Sequence, residues 1–185
     1  MELLGTVVRL QVQRSRLKPG TRGARTYDPS PLLEVDALDV TPRGVRSGEV
    51  LDVHHADHPD SRNVDLVNGL SLLPRAHYER LRATYGPHLV DGAAGESLLL
   101  DTDGPWTSLE GPLHLETEGG LLELADPMAA PPCVEFSRFC LQRPVGDTGP
   151  EVQAALADLD GGVRGFYVSA RGEGRVVRGA RLFRG

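Results

Sequence analysis

The chain is poor in lysine. Lys18 is the only one in 185 residues, so 19 of its 20 basic side chains are arginine. A Schiff-base cofactor needs a lysine amine. Lys18 lies beside Pro19-Gly20 in a basic, turn-rich segment, Ser15–Ser30, that reads as a mobile loop. A solvated ammonium there is a poor covalent catalyst, and pyridoxal phosphate is not expected on this chain. Cysteine is nearly as scarce. Cys133 and Cys140 are too few for a disulfide framework, and their spacing matches neither a CxxC motif nor half of a zinc ribbon. Two thiols also fall short of the four that hold an iron–sulfur cluster.

Long apolar runs are missing too. No stretch approaches the 18 or so residues of a membrane helix, and the opening MELLGTVVRLQVQRSR has neither the basic start nor the apolar middle of a signal peptide. The expectation is a cytoplasmic protein, not bound to membranes, with both thiols reduced. With a net charge of −6 and a pI near 5.5 there is no general basic surface, so nucleic acid is not expected as a partner.

What is present is turn-forming residues, 22 glycines and 14 prolines without a collagen-like period. They mark tight turns between short strands, hence a mostly β architecture with a few short helices. The length suits one domain over residues 1–185. Alternation of Val8, Leu10 and Val12 with polar neighbours predicts a strand over Leu3–Val12, and Leu32–Leu38, Glu49–Val53 and Leu70–Leu73 are further candidates. Pro74–Tyr85 reads as a helix with Ala76, Tyr78, Leu81 and Tyr85 on its inner face, and GPEVQAALADL over Gly149–Leu159 as a second. Ser97–Leu100, Leu113–Leu115 and Leu121–Ala125 are apolar runs, the last two joined by a hairpin signal at Gly119-Gly120. Val163–Ser169 and Arg175–Val177 are two final strands that close a barrel or complete a sheet.

Two stretches carry chemistry. His54, His55, Asp57, His58, Asp60, Arg62 and Asn63 crowd into ten positions after a strand end, where sites on β scaffolds are commonly built. Adjacent His54 and His55 point to opposite sides of an extended chain, so the three histidines do not all converge. The loop reads as a solvated polar segment, an anion- or cofactor-facing segment, or a metal site. In the second stretch, Pro131-Pro132 ends a strand and sets Cys133 at a stiff, exposed corner, suited to a ligand or a nucleophile. Cys140, between Phe139 and Leu141, reads as an inert buried thiol. Val134, Phe136 and Phe139 are expected to pack, with Glu135, Ser137 and Arg138 wet.

GAAGESLLLD from Gly92, the apolar hairpin, ELADPMAAPPC ending at Cys133 and then GVRGFYVSARGEGRVVRGARL resemble the MOSC domain, named for the C-terminal domain of molybdenum cofactor sulfurase. The resemblance spans about residues 45–183 and is to the stand-alone bacterial type. It implies a barrel-like fold and makes Cys133 the family's cysteine, either the thiolate ligand of molybdenum in a molybdopterin cofactor or the carrier of a persulfide. In the first case Arg62 and Arg138 are expected to hold the pterin phosphate and His54, His55 or Asp57 to face cofactor or substrate. An external redox partner would then supply electrons for reduction of N-hydroxylated compounds. In the second, a cysteine desulfurase would load Cys133. Many stand-alone relatives carry a histidine–glycine–glycine segment where this chain has His54-His55-Ala56, and the missing glycines motivate a third reading, a non-catalytic binding module.

Overall fold

The computed structural model describes residues 1–185. Strand β1 (Glu2–Gln13) is the spine of the fold, because its 12 residues are long enough to serve three neighbours in succession. Its first part pairs with β12 (Arg181–Arg184), its middle with β7 (Leu98–Asp101) and its end with β2 (Leu32–Val35), all antiparallel. Breaks in register between Leu3 and Gly5 and between Val7 and Arg9 bend the strand from one neighbour to the next.

The remaining strands close the circle. From β12 the sheet continues through β8 (Leu113–Thr117), β9 (Gly120–Ala129), β10 (Phe166–Ala170) and β6 (Leu70–Pro74) back to β7, giving a seven-strand barrel with β2 appended. Only β6 and β7 run parallel, and helix α1 (Arg75–Tyr85) makes the crossover between them that parallel pairing requires. A small second sheet joins β3 (Ala37–Thr41), β4 (Gly44–Ser47), β5 (Val50–Leu51) and β11 (Gly174–Val177). The expected strand Leu32–Leu38 is thus two strands in two sheets, broken at Asp36, and β4 and β12 lay unrecognised in turn-rich sequence.

Alternation along the strands builds two cores. Leu72, Leu98 and Leu100 point into the barrel with Val7, Leu10, Leu182 and their neighbours. Leu73 and Leu99 point outward, onto Tyr78 and Leu81 of α1, Phe136 and Cys140 of α2 (Val134–Leu141), and Leu159 at the end of α3 (Pro150–Asp158). A strand covered on both faces has no wet side, hence the unbroken leucine run Leu98–Leu100. Each of these buried leucines contributes about 1.5–3 kcal/mol. Packing between two layers also accounts for α2. Ser137 and Arg138, expected to be wet, are buried together with Phe136 and Cys140, because a helix rather than an extended segment follows Cys133. No helix is long and apolar enough to cross a membrane.

Candidate functional site

Cys133 stands where β9 gives way to α2. Ala130 N–H donates to Gly165 O, tying this exit to the turn before β10, and Pro131-Pro132 carries the chain to an extended residue (φ −139°, ψ 147°) that caps the helix. The backbone carbonyl of Cys133 accepts both the amide and the hydroxyl of Ser137, at 3.0 and 3.1 Å. Its side chain takes no part in capping. The sulfur instead lies 3.4 Å from Nη1 of Arg164 and is half-buried, less exposed than the corner the prolines suggest. Guanidinium and helix N-terminus both complement negative charge on sulfur.

Arg164 is aimed by glycine on both sides. Gly162 and Gly165 have φ of +89° and +91°, and a Cβ at Gly165 would come within 2.4 Å of Leu72 O. The guanidinium stacks 4.4 Å over the Phe136 ring and donates to Pro131 O and, through Nη2 at 3.2 Å, to Ala94 O. Its Nε is buried without a partner.

Around these two residues opens a cleft of about 590 Å³. One wall is the segment after β1, which is fixed in place rather than free: Asp28 N–H bonds Leu17 O, Thr26 N–H bonds Pro19 O, and Tyr27 Oη donates to Ala93 O at 2.7 Å. Burial pushes the phenols of Tyr27 and Tyr167, both in the lining, above the ordinary tyrosine value, so both stay protonated donors. Arg16, Lys18, Arg25, Arg62 and Arg164 line the cleft, against one acidic residue, Asp60. Elsewhere most positive charge is paired. Thirteen of the 20 basic side chains are in ion pairs, which leaves seven: Arg14, Lys18, Arg22, Arg25, Arg62, Arg138 and Arg164. Four of the seven face this cleft, so an acidic protein carries a local anion-attracting surface around one cysteine.

The histidine loop divides. His54 and Arg62 line the cleft with Cys133. Asp52, 3% exposed, accepts the His54 amide and Nδ1–H through Oδ1, each at 2.9 Å, and the Gln13 amide through Oδ2 at 2.7 Å. Asn63 holds the loop from the other side by donating to His54 O. That arrangement fixes a tautomer with the Nε2 lone pair free. His55 turns away: it is buried against Gly44, accepts the Asp57 amide at Nδ1, and burial lowers its pKa. Asp57 is paired with Arg43, which holds its carboxyl below the usual range. His58 bonds Arg14 O, and Arg138 faces a different pocket. No group of three or more His, Cys, Asp or Glu side chains converges as a metal site.

Sequence reasoning missed Arg164, Tyr167, Tyr27, Arg25 and Asp52. The signal available for the first two was their setting, a glycine-flanked Arg-Gly-Phe-Tyr run entering a strand. Glu96, next to Gly95 in the lining, is itself buried beneath the wall, where its Oε2 accepts the Tyr78 hydroxyl at 2.9 Å.

No model of a known protein family matches this sequence, and no curated protein matches it. Solved structures do. YuaD from Bacillus subtilis superposes with a TM-score of 0.61 at 12% identity, over 96% of this chain and 93% of its own. YiiM from Geobacillus stearothermophilus gives 0.58 at 14%, over 96% and 73%. YiiM from Escherichia coli gives 0.53 at 18%, over 98% and 68%. The likeness covers nearly all of this chain, which has the fold of these stand-alone bacterial MOSC-domain proteins.

Proposed function

We propose that the cleft holds a molybdopterin-type cofactor with Cys133 as the one protein ligand to its metal. The observation that carries this reading is the pairing of a half-buried thiol with unpaired cations in the lining of a single cleft. The donor set fits. A pterin dithiolene brings its own sulfur ligands, so a lone soft thiolate suffices where no protein cluster exists. The Arg164 guanidinium and the unpaired Lys18, Arg25 and Arg62 suit a phosphate and the polar edge of a pterin. When bound, the cofactor would supply the metal centre for two-electron reduction of N-hydroxylated compounds, with electrons from an external redox protein.

The chain's own residues have separate tasks. Arg164 holds the sulfur in position and balances its charge. His54, oriented by Asp52, offers Nε2 to accept or return a proton at a group bound over Cys133. Tyr167, whose phenol burial keeps protonated, adds a hydrogen-bond donor. His55, Asp57 and Arg138, which lie outside the cleft, have supporting roles at most in this chemistry.

A second reading uses the same sulfur as a carrier, loaded as a persulfide by a cysteine desulfurase. The half-buried, guanidinium-flanked position of the sulfur in an open cleft favours it. A degenerate, non-catalytic module is the third. Mass analysis after incubation with a desulfurase and cysteine separates them: one added sulfur atom on wild type and none on Cys133→Ser supports the carrier. Reductase activity lost in Cys133→Ser supports the cofactor reading, and activity unchanged in that variant rules out both catalytic roles.

A further inference from the structure

Behind the wall formed by Arg25 and Tyr27 lies a second pocket of about 330 Å³, bounded also by His88, Glu135, Arg138, Phe139, Gln142 and Arg143. Arg138 is the buried cation of this molecule without a counterion. It is 9% exposed, forms no ion pair, and has a buried Nε with no hydrogen-bond partner. Its one polar contact is a 3.4 Å bond from Nη1 to Arg25 O. Arg25 is likewise unpaired, whereas Arg143 is tied to Glu151. Glu135 lines the same pocket, but its carboxylate makes no ion pair with Arg138.

Buried charges in proteins are almost always paired, since an isolated one costs several kcal/mol of lost hydration. Around Arg138 that cost is raised by Tyr27, Phe136 and Phe139, whose rings pack together at 4.9 to 6.1 Å. A low-dielectric wall also strengthens attraction for whatever anion enters. We propose that this pocket is an anion-binding subsite, separate from the cysteine cleft, in which Arg138 and Arg25 together hold a phosphate or carboxylate group. The planar guanidinium fork of Arg138 suits a bidentate oxyanion. Because Arg25 and Tyr27 belong to both cavities, the anion is either the far end of a molecule seated over Cys133 or a separate small anion.

The test titrates cofactor-free protein with inorganic phosphate and follows the arginine Nε–H signals by NMR. Expected is a saturable shift of the Arg138 signal, kept in Cys133→Ser and accompanied by a rise in melting temperature that Arg138→Met lacks. Arg25→Met, a change on an irregular segment, weakens phosphate binding about tenfold, the loss of one charge-assisted contact, and serves if Arg138→Met does not fold. Movement of Arg138 that merely tracks ionic strength, in step with surface arginines, would overturn the proposal. Repeating the titration on cofactor-loaded protein identifies the source. Phosphate excluded there means that the cofactor's own anion fills the pocket, and phosphate still bound means a separate ligand.

Discussion

Nη1 of Arg164 and Sγ of Cys133, 31 residues apart in sequence, meet at 3.4 Å in the lining of the cleft. The contact joins three segments, since the same guanidinium also binds Ala94 O and Pro131 O. The positive charge beside the sulfur and the shape of the cleft therefore depend on one side chain.

Thiol labelling reads that dependence. Cys133 reacts in the native protein and Cys140 does not, being fully buried with its pKa pushed up to about 12 by burial. At low salt a dianionic aromatic disulfide labels wild type about tenfold faster than Arg164→Leu, whereas a neutral maleimide distinguishes them far less. Added salt shrinks the difference. Equal effects on both reagents would mean that the cations of the cleft do not act on incoming anions.

Gly165 should tolerate no side chain. With φ at +91° and Leu72 O within 2.4 Å of any added Cβ, Gly165→Ala strains the turn and pushes β10 from β6. The expected loss is about 2 kcal/mol or more, measured by urea unfolding, with slower labelling of Cys133 as Arg164 is displaced. Gly161→Ala, with open space around it and a positive φ of its own, is the milder comparison.

Glu96 gives the fold a pH dependence. Burial raises its pKa from the usual carboxylate value to about 7, and its Oε1 has no partner. The folded state therefore keeps a proton that the unfolded chain releases above about pH 4.5. The stability from this group is complete below that pH and is lost as pH rises through 7. Wild type should lose about 2 to 3 kcal/mol relative to Glu96→Gln between pH 5 and pH 8. Parallel stability profiles for the two proteins would exclude this account.

His77 acts in the opposite sense. Its Nδ1 donates to Val163 O at 2.9 Å and its Nε2 accepts the Trp106 amide at 2.9 Å, which only the neutral ring can do. Burial lowers its pKa below 6.5, so its contribution is full above that pH and is lost as pH falls through the folded value. Fluorescence of Trp106, the only tryptophan, should report a local change on acidification that His77→Gln lacks.

Much of the barrel was legible in the sequence because half-buried strands alternate and turns need glycine. Leu3–Val12, the leucine runs and both outer helices were readable for that reason. What escaped was decided by tertiary packing. Val134–Leu141 carries β-favouring valine and phenylalanine yet is helical, because it is wedged between barrel and helix and its first turn bonds to Cys133 O. The site divides in the same way. Cys133 was marked by its prolines and by the MOSC resemblance, and His54 and Arg62 by local crowding. Arg164 and Tyr27 reach the cleft from distant segments, and no local pattern announces such convergence.

The most direct measurement is molybdenum and pterin content of protein purified from a host that makes the cofactor, wild type beside Cys133→Ala. The account predicts molybdenum and oxidised-pterin fluorescence in near-stoichiometric amounts with wild type and a loss of the metal in the variant. Neither present in wild type, or equal loading of both proteins, would contradict a cofactor held by Cys133.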